Sequence, residues 1–358
     1  MNSATHVPRR VLVTGGCGFI GTHLVRYLLG TDPSLRVVNL DLLTYAGDRT
    51  NLADLERDNG DRYRFVHGDI TDEIMVGDIF ATEAIDTVIH LAAESHVDRS
   101  IDAPDQFLRT NIWGTYNLLQ AARRAWGSRR DVRFHHVSTD EVFGSLGEQG
   151  YFTEESRYDP SSPYSSSKAA SDHLVCAWQR TFGLPVTLSN CSNNYGPYQY
   201  PEKLIPLMIT TALALRPLPV YGDGLQVRDW LYVEDHCRAI DLIVRGAKAG
   251  ATYVVGGRNE IVNLEMVRAL CALLDEMEPR PDGGSYASLI TQVVDRPGHD
   301  RRYAIDPARL MHDLGWMPRE TISTGLRATV AWYLRHRGWV DEKSRPKVTP
   351  PSGHRSSV

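Results

Sequence analysis

A glycine-rich turn between an apolar run and a helical pattern constrains the fold of this chain more than any other feature. The β-branched run Val11–Thr14 leads directly into GGCGFIG at positions 15–21, and apolar residues at helical spacing follow over Phe19–Leu29. Glycines at this spacing allow a tight turn, a close approach of pyrophosphate to the backbone, and close packing of helix on strand. The helix N-terminus offers N–H donors to phosphate. The pattern therefore predicts a dinucleotide-binding unit.

An acidic residue after the second predicted strand indicates which dinucleotide binds. Asp41 ends the run Val37–Asp41 and lies 20 residues after Gly21. An acid at this position accepts hydrogen bonds from the adenosine ribose, and the next residue is Leu42 rather than an Arg that would pair with a 2′-phosphate. Both features favour NAD over NADP. The alternative, a glycine turn followed by an unrelated surface Asp, is weakened by the strand and helix that flank the motif.

Strand-like and helix-like segments alternate through the first half of the chain. Four more strands are predicted at Tyr63–Asp69, Thr87–Ala93, Val132–Thr139 and Val186–Asn190. Their nearly continuous apolar character is typical of parallel strands covered by helices on both faces. We therefore predict an α/β fold, with a Rossmann-type doubly wound parallel sheet and a smaller, mixed α/β C-terminal substrate-binding part.

The composition changes after about Cys191, where prolines interrupt the alternation. We predict an NAD-binding domain over residues 1–190 and a mainly substrate-binding domain over 191–340, some of whose segments return to the first. Residues 341–358 are rich in Pro, Ser, Lys and Arg, and this composition predicts a disordered tail.

Charge and cysteine content limit the classes of function. The formal net charge is −5, which gives no overall basic field for nucleic acid, and no apolar run is long enough to span a membrane. The five cysteines are scattered and never form a C-x-x-C pair. This favours reduced thiols and a cytoplasmic location. The histidines show no zinc-ligand spacing, so we predict no metal.

Tyr164 and Lys168 form a candidate catalytic pair. They lie at positions i and i+4, which places them on one face of a helix. A nearby ammonium favours the phenolate, so we expect Lys168 to lower the pKa of Tyr164 and make it a base. The pair follows a predicted strand that ends in Ser138-Thr139.

The chain resembles the extended short-chain dehydrogenases/reductases that act on sugar nucleotides, and among these the 4,6-dehydratases of dTDP-glucose. The resemblance runs from about Arg10 to Arg337. It rests on the motifs TGGCGFIG (14–21), DLLTYAG (41–47), HLAAESHVDRS (90–100), VSTDEVFG (137–144), PYSSSKA (163–169), NCSNNYGPYQYPEKLIP (190–206), YGDGLQVRDWLYVEDH (221–236) and DRPGHDRRY (295–303). It implies a homodimer that holds NAD tightly and takes dTDP-glucose as a small-molecule substrate.

The adjacent carboxyls Asp140 and Glu141 distinguish between reactions of this superfamily. Loss of water across sugar carbons 5 and 6 requires a base for one proton and an acid for the leaving hydroxyl. Two carboxyls with different pKa values supply both. The resemblance assigns Asp140 as the acid, Glu141 as the base, and Thr139 as a residue that polarises the carbon-4 hydroxyl. An acidic cap after a strand is the alternative interpretation of the pair.

The resemblance and the motifs together predict two further sets of contacts. The predicted cofactor contacts are Gly15, Gly18, Phe19, Ile20, Gly21, Asp41, Leu43, Thr44, Asp69, Ile70, Leu91, Ala93, Thr110, Tyr164, Lys168 and Asn194. The predicted substrate contacts are Ser95, Thr139, Asn193, Lys203, Leu204, Pro219, Tyr221, Arg228, Asn263, Arg296 and His299. Arg228 is the candidate for the diphosphate, because a guanidinium binds phosphate in a bidentate manner.

Several other functions remain open at this stage. Within the same fold they are a sugar-nucleotide 4-epimerase, a UDP-glucuronate decarboxylase, and a dehydratase that prefers UDP- or GDP-sugars. The Asp140-Glu141 pair argues against the first two. A non-catalytic NAD-binding sensor or scaffold is a different class, and the intact Tyr164 and Lys168 argue against it.

Overall fold

A computed structural model describes residues 6–295 and 298–344 of the chain. The strands, in chain order, are β1 (Arg10–Thr14), β2 (Arg36–Asp41), β3 (Tyr63–His67), β4 (Thr87–His90), β5 (Arg133–Thr139), β6 (Val186–Cys191), β7 (Asn193–Tyr195), β8 (Leu218–Tyr221), β9 (Val227–Tyr232), β10 (Thr252–Val255), β11 (Glu260–Val262) and β12 (Ile290–Val293). The helices are α1 (Phe19–Thr31), α2 (Ala53–Asp58), α3 (Glu73–Glu83), α4 (Val97–Asp102), α5 (Pro104–Phe107), α6 (Thr115–Trp126), α7 (Pro163–Phe182), α8 (Leu204–Leu213), α9 (Val233–Gly246), α10 (Asn263–Met277), α11 (Ala308–Leu314), α12 (Ile322–Arg335) and α13 (Arg337–Ser344).

Seven strands form one sheet in the order β10-β6-β5-β4-β1-β2-β3, and all neighbouring pairs are parallel. The order reverses between β1 and β4, as it does in doubly wound sheets. The predicted fold class is confirmed, and each of the six predicted strands is present. The seventh, β10, was not predicted, because its four residues lie in the irregular second half.

The alternating side chains of β1 show how the sheet is covered. Leu12 belongs to a core that includes Leu118 of α6, whereas Val11 and Val13 belong to a core on the other face that includes Leu24 of α1. Successive side chains of a strand point to opposite faces, so both faces are buried. Burial of a Leu or Val side chain contributes about 1.5–3 kcal/mol. The helices α3, α6 and α7 cover the first face, and α1 and α9 the second.

The chain after β6 builds smaller sheets and also adds to the large one. β9 lies between β11 and β7, and β8 pairs with β12. A separate core surrounds them and contains side chains of α8, α10 and α12. β10 and α9, which come from the segment after residue 190, lie against the large sheet.

The C-terminal segment differs in part from the prediction. Helix α13 extends to Ser344, so residues 341–344 are helical rather than disordered. Trp339 explains this order, because its indole N–H donates to Asn51 and fixes the helix on the body of the protein. Residues 345–358 lie outside the described part of the chain. Within the described part, no helix has the length and apolar character of a membrane span.

We predict opposite effects for two glycine substitutions in α1. A Cβ at Gly21 would lie 2.1 Å from the Gly15 carbonyl oxygen and 2.6 Å from the Gly16 Cα. Because these are backbone atoms, Gly21→Ala should lower the free energy of unfolding by about 1–3 kcal/mol. Gly30→Ala is the matched control, because its Cβ would meet no atom within 4 Å. This variant should gain about 0.5–1 kcal/mol. Urea unfolding measures both, and equal effects would contradict the predicted packing.

Candidate active site

A cavity of about 330 Å³ lies at the carboxyl edge of the large sheet, next to the segments that follow the neighbouring strands β1 and β4. Residues that directly follow the parallel strands meet there, since parallel strands end at the same edge. The cavity brings together most of the residues predicted from the sequence. These are Gly15, Gly18, Phe19, Ile20, Gly21, Asp41, Thr44, Asp69, Ile70, Leu91, Ala93, Ser95, Thr110, Thr139, Asp140, Glu141, Tyr164, Lys168, Asn193, Asn194 and Lys203.

The glycine turn forms a cradle with no room for a side chain at Gly15, Gly16 or Gly21. Gly15 has a φ of +73°, and a Cβ there would lie 2.8 Å from backbone atoms of Ala92. Gly18 is the N-cap of α1, so the free N–H groups of the first helical turn face this end of the cavity. This arrangement fits the pyrophosphate of a dinucleotide, because a helix N-terminus next to bare backbone binds phosphate.

Asp41, the last residue of β2, is held beside the glycine turn by two backbone N–H groups. Its carboxylate accepts backbone N–H bonds from Cys17 at 2.9 Å and from Leu43 at 2.8 Å. Burial raises the pKa of Asp41, and the two N–H donors oppose this effect. Leu43 does not line the cavity, and its part is to orient Asp41. Among the described lining residues the cations are lysines only, so none is an Arg placed for a 2′-phosphate.

The acidic pair begins immediately after β5. Thr139 caps a 3₁₀ turn over Asp140–Phe143, and its hydroxyl accepts the backbone N–H of Glu141 at 3.2 Å. Asp140 is 2 % exposed, and its Oδ2 has no hydrogen-bond partner among the described residues. Burial, then the charge of Glu141, raises the pKa of Asp140 well above its ordinary value. Burial therefore favours the protonated form of Asp140, whereas Glu141 is more exposed.

The pKa of Tyr164 is shifted in the direction opposite to the prediction. The phenol is buried and hydrogen-bonds to Thr139, and burial followed by the charge of Glu141 raises its pKa well above the ordinary value. The predicted lowering by Lys168 is wrong for this arrangement, because the ammonium lies elsewhere. The Nζ of Lys168 donates to the Val137 carbonyl at 3.0 Å, so the neutral phenol is the stable form.

A buried network behind Lys168 was not predicted. The Nζ of Lys168 lies 3.4 Å from Nε2 of His136. This histidine nitrogen lies 3.1 Å from Oδ1 of Asp172. Burial lowers the pKa of Lys168, whereas the charge of Asp172 opposes this. Asp172 follows Lys168 by four residues on α7, so the same i, i+4 spacing that identified Tyr164 was available to find it.

Most of the predicted nucleotide contacts form a second group that, unlike Lys203, does not line the cavity. Arg228 is 5 % exposed, donates to the carbonyls of Val227 at 2.8 Å and Asp300 at 3.0 Å, and lies over the ring of Tyr303. Its charge lowers the pKa of Asp140, so it lies near the acidic pair. Leu204 likewise lies outside the cavity lining, at the start of α8.

The other predicted contacts of this group lie near β8 and the segments that contact it. His299 contacts the ring of Tyr221 edge-on and bonds to Asp295 at 2.6 Å. The backbone N–H of Asn263 donates to the carbonyl of Gln226, whose side chain donates to Asp295. Pro219 lies within β8, two residues before Tyr221. Arg296 lies outside the described residues.

Several lining residues lie within the quoted motifs but were not predicted as contacts. Glu94, Gln199, Tyr200 and Glu202 line the cavity. The hydroxyl of Tyr45 donates to Glu202 at 2.8 Å, which joins the loop after β2 to the segment after β7. Such a contact between distant segments depends on the tertiary fold. In the described part of the chain no cluster of three His, Cys, Asp or Glu side chains suits a metal ion.

Comparisons with known proteins agree with this geometry. Residues 12–329 match the family model described as GDP-mannose 4,6 dehydratase. A probable dTDP-glucose 4,6-dehydratase of Sinorhizobium fredii is 56 % identical over 95 % of this chain and 96 % of its own length. The dTDP-glucose 4,6-dehydratase of Bacillus anthracis, solved in complex with NAD, has a TM-score of 0.83 at 41 % identity and covers 93 % of this chain and 99 % of its own. That of Streptomyces venezuelae, also with NAD bound, has a TM-score of 0.84 at 47 % identity and covers 92 % and 98 %.

We predict that Asp140→Asn stabilises the protein increasingly as pH rises. The folded state raises the pKa of Asp140 above the ordinary value of 3.8, so unfolding releases a proton between that value and the folded pKa. Wild-type stability should therefore fall as pH rises through this window, by about 1.4 kcal/mol for each unit of elevation. Urea unfolding from about pH 4.5 to about pH 8 measures the difference between variant and wild type.

The exposed Glu155→Gln is the control for loss of a carboxyl. A difference between Asp140→Asn and wild type that does not change with pH would contradict the buried, protonated state of Asp140.

Proposed function

The chain belongs to the GDP-mannose 4,6-dehydratase family, and we propose that it converts dTDP-glucose to dTDP-4-keto-6-deoxyglucose with bound NAD. The net reaction is the loss of one water, which makes the enzyme a hydro-lyase of deoxysugar biosynthesis. NAD is the cofactor, and the glycine cradle together with Asp41 provides a site of the matching shape and charge. NAD held there would supply reversible hydride transfer: it would accept a hydride from carbon 4 and return it to carbon 6, where the addition is completed by a proton at carbon 5.

The observation that carries this proposal is the unequal environment of the two neighbouring carboxyls. Asp140 is buried, which favours its protonated form, and this form has a proton to give to the leaving hydroxyl of carbon 6. Glu141 lines the cavity with more exposure and is placed to remove the proton of carbon 5. Two carboxyls with separated pKa values divide the work of acid and base. A 4-epimerase needs no such pair.

We propose that Tyr164 and Thr139 act in the oxidation at carbon 4. Tyr164 and Thr139 hydrogen-bond to each other, so a substrate hydroxyl that joins them has both a proton acceptor and a polarising donor. Because burial holds Tyr164 in its neutral form, removal of the proton of the carbon-4 hydroxyl requires positive charge close to the phenol. Lys168 is the cation on the same helical face. We propose that its ammonium turns toward Tyr164 in the catalytic complex.

We propose that the second group of residues, which lies outside the cavity, contacts the nucleotide end of the substrate, and that cavity-lining residues extend this surface. Ser95, Asn193 and Lys203 line the cavity, and Oδ1 of Asn193 has no partner among the described residues. Arg228, Tyr221, Asn263 and His299 lie on the C-terminal part, where the diphosphate and base would extend. Arg228 is placed to contact the diphosphate, because its guanidinium is oriented by two carbonyls and a ring.

We also propose a homodimer and a cytoplasmic location. Ring contacts join the exposed Trp113 to Tyr116, then to Trp178 and Phe182, across α6 and α7. Such a continuous apolar face fits a second copy of the chain. All five cysteines are free thiols, which fits a reducing compartment.

The first test is a comparison of substrates. Purified protein with its own NAD is given dTDP-, UDP- and GDP-glucose, and the products are followed by mass. We expect the loss of one water, with dTDP-glucose preferred and no added NAD required. An unchanged mass with an altered configuration at carbon 4 would show epimerisation and contradict the proposal.

The second test concerns the base. Glu141→Gln should slow dehydration by about 10²–10⁴-fold, because carbon 5 keeps its proton. The oxidation at carbon 4 should persist, so a product lighter by two hydrogens should form at most once per active site. NAD content, measured by absorbance, should be unchanged, and the exposed Glu148→Gln should retain wild-type turnover. Loss of NAD from Glu141→Gln would show that the role assigned to Glu141 is wrong.

The third test concerns assembly. Trp113→Glu places a charge in the apolar face and should convert a dimer to monomers in sedimentation equilibrium. Met317→Glu, at an exposed apolar residue elsewhere, is the control and should leave the dimer intact. A wild-type protein that sediments as a monomer would contradict the proposed dimer.

A further inference from the structure

Arg133 is a buried cation without a charged partner at the amino end of β5. It is 5 % exposed, and its Nη1 donates to the carbonyl of Ala247 at 2.8 Å. Its Nε has no hydrogen-bond partner, and none of the described carboxylates lies within ion-pair distance. Proteins almost always pair a buried charge, because desolvation of an isolated ion is unfavourable by several kcal/mol. The unpaired guanidinium therefore requires an explanation.

The guanidinium lines a cavity of about 650 Å³ whose other charged residues are mostly basic. Five cations face two carboxylates there, an excess of three positive charges in a chain whose net charge is −5. The cations are Arg9, Arg129, Arg130, Arg133 and Lys248, and the carboxylates are Asp86 and Asp131.

Neither carboxylate is placed to neutralise Arg133. Asp86 accepts the backbone N–H groups of Arg9 and Arg10, both at 3.1 Å, and the hydroxyl of Thr87 at 2.6 Å. Asp131 pairs with Arg129 at the surface. His6 adds no charge near neutral pH, because burial, reinforced by Arg133, lowers its pKa to about 4.

This cavity is separate from the active site. It lies where β1, β4 and β5 begin, whereas the active-site cavity lies where the same strands end. The seven residues of β5 separate the two edges by about 20 Å. None of the residues that line one cavity lines the other.

We propose that the amino-edge cavity binds a small anion that carries more than one phosphate group. Guanidinium groups bind phosphate oxygens through paired N–H donors, and the guanidinium of Arg133 lines this cavity without a carboxylate partner. A diphosphate or triphosphate matches the excess of three positive charges, whereas a single carboxylate neutralises only one. The ligand thereby completes the pairing of Arg133.

The test is titration calorimetry of the NAD-loaded, full-length enzyme with inorganic pyrophosphate, at ionic strength held constant with KCl. We expect saturable binding and a rise in Tm of about 3 °C at saturating pyrophosphate. Arg133→Met, which removes the charge and keeps the bulk, should abolish both effects. The surface pair Arg9→Ala/Lys248→Ala should weaken binding at least 10-fold while the fold is retained, so the test holds even if Arg133→Met is unstable.

Arg228→Met is the matched control, since Arg228 is the guanidinium assigned to the active site. It should leave pyrophosphate binding unchanged. Binding that is lost in Arg228→Met but retained in the surface pair would place pyrophosphate in the active site and overturn the proposal. An absence of saturable binding in the wild-type enzyme would overturn it as well. A nucleoside triphosphate used in place of pyrophosphate identifies the source of the phosphates: equal affinity indicates the phosphates alone, and tighter binding that still requires Arg133 indicates a nucleotide.

Discussion

The parallel pairing of β1, β4, β5 and β6 is the constraint on which the rest of this structure depends. It brings the residues that follow each strand to a single edge, so Gly15, Leu91, Asp140 and Ser192 line one cavity although they are far apart in the chain. The order of the strands reverses between β1 and β4, and the resulting crevice admits a dinucleotide. The same pairing gathers the beginnings of the strands at the opposite edge, where the unpaired Arg133 lies.

Burial sets the charge of the catalytic groups. Desolvation raises the pKa of Asp140 and of Tyr164 and lowers that of Lys168, so it acts against ionisation of all three. A site of this kind favours proton transfers that leave no isolated charge behind. It also separates the two adjacent carboxyls, because burial favours the protonated form of Asp140, whereas Glu141 is more exposed.

The sequence predicted those parts of the fold and the site that depend on local pattern. The glycine turn, Asp41 and the six strands follow from spacing and apolar runs, and the motifs located nearly all of the cavity lining. The sign of the pKa shift of Tyr164 could not be predicted, because it depends on the burial of the phenol and on the nearby charge of Glu141 in the folded protein. The strand β10 is too short for its periodicity to show. Asp172, in contrast, could have been predicted, because it lies four residues after Lys168 on the same face of α7.

We propose that NAD is restored in each turnover, so that dehydration and not oxidation is the net reaction. This is tested with dTDP-glucose that carries deuterium on carbon 4, with the position of the label followed by mass and by NMR. We expect the label on carbon 6 of the 4-keto-6-deoxy product and no accumulation of reduced cofactor. A product without the label, together with reduced cofactor in proportion to turnover, would contradict it.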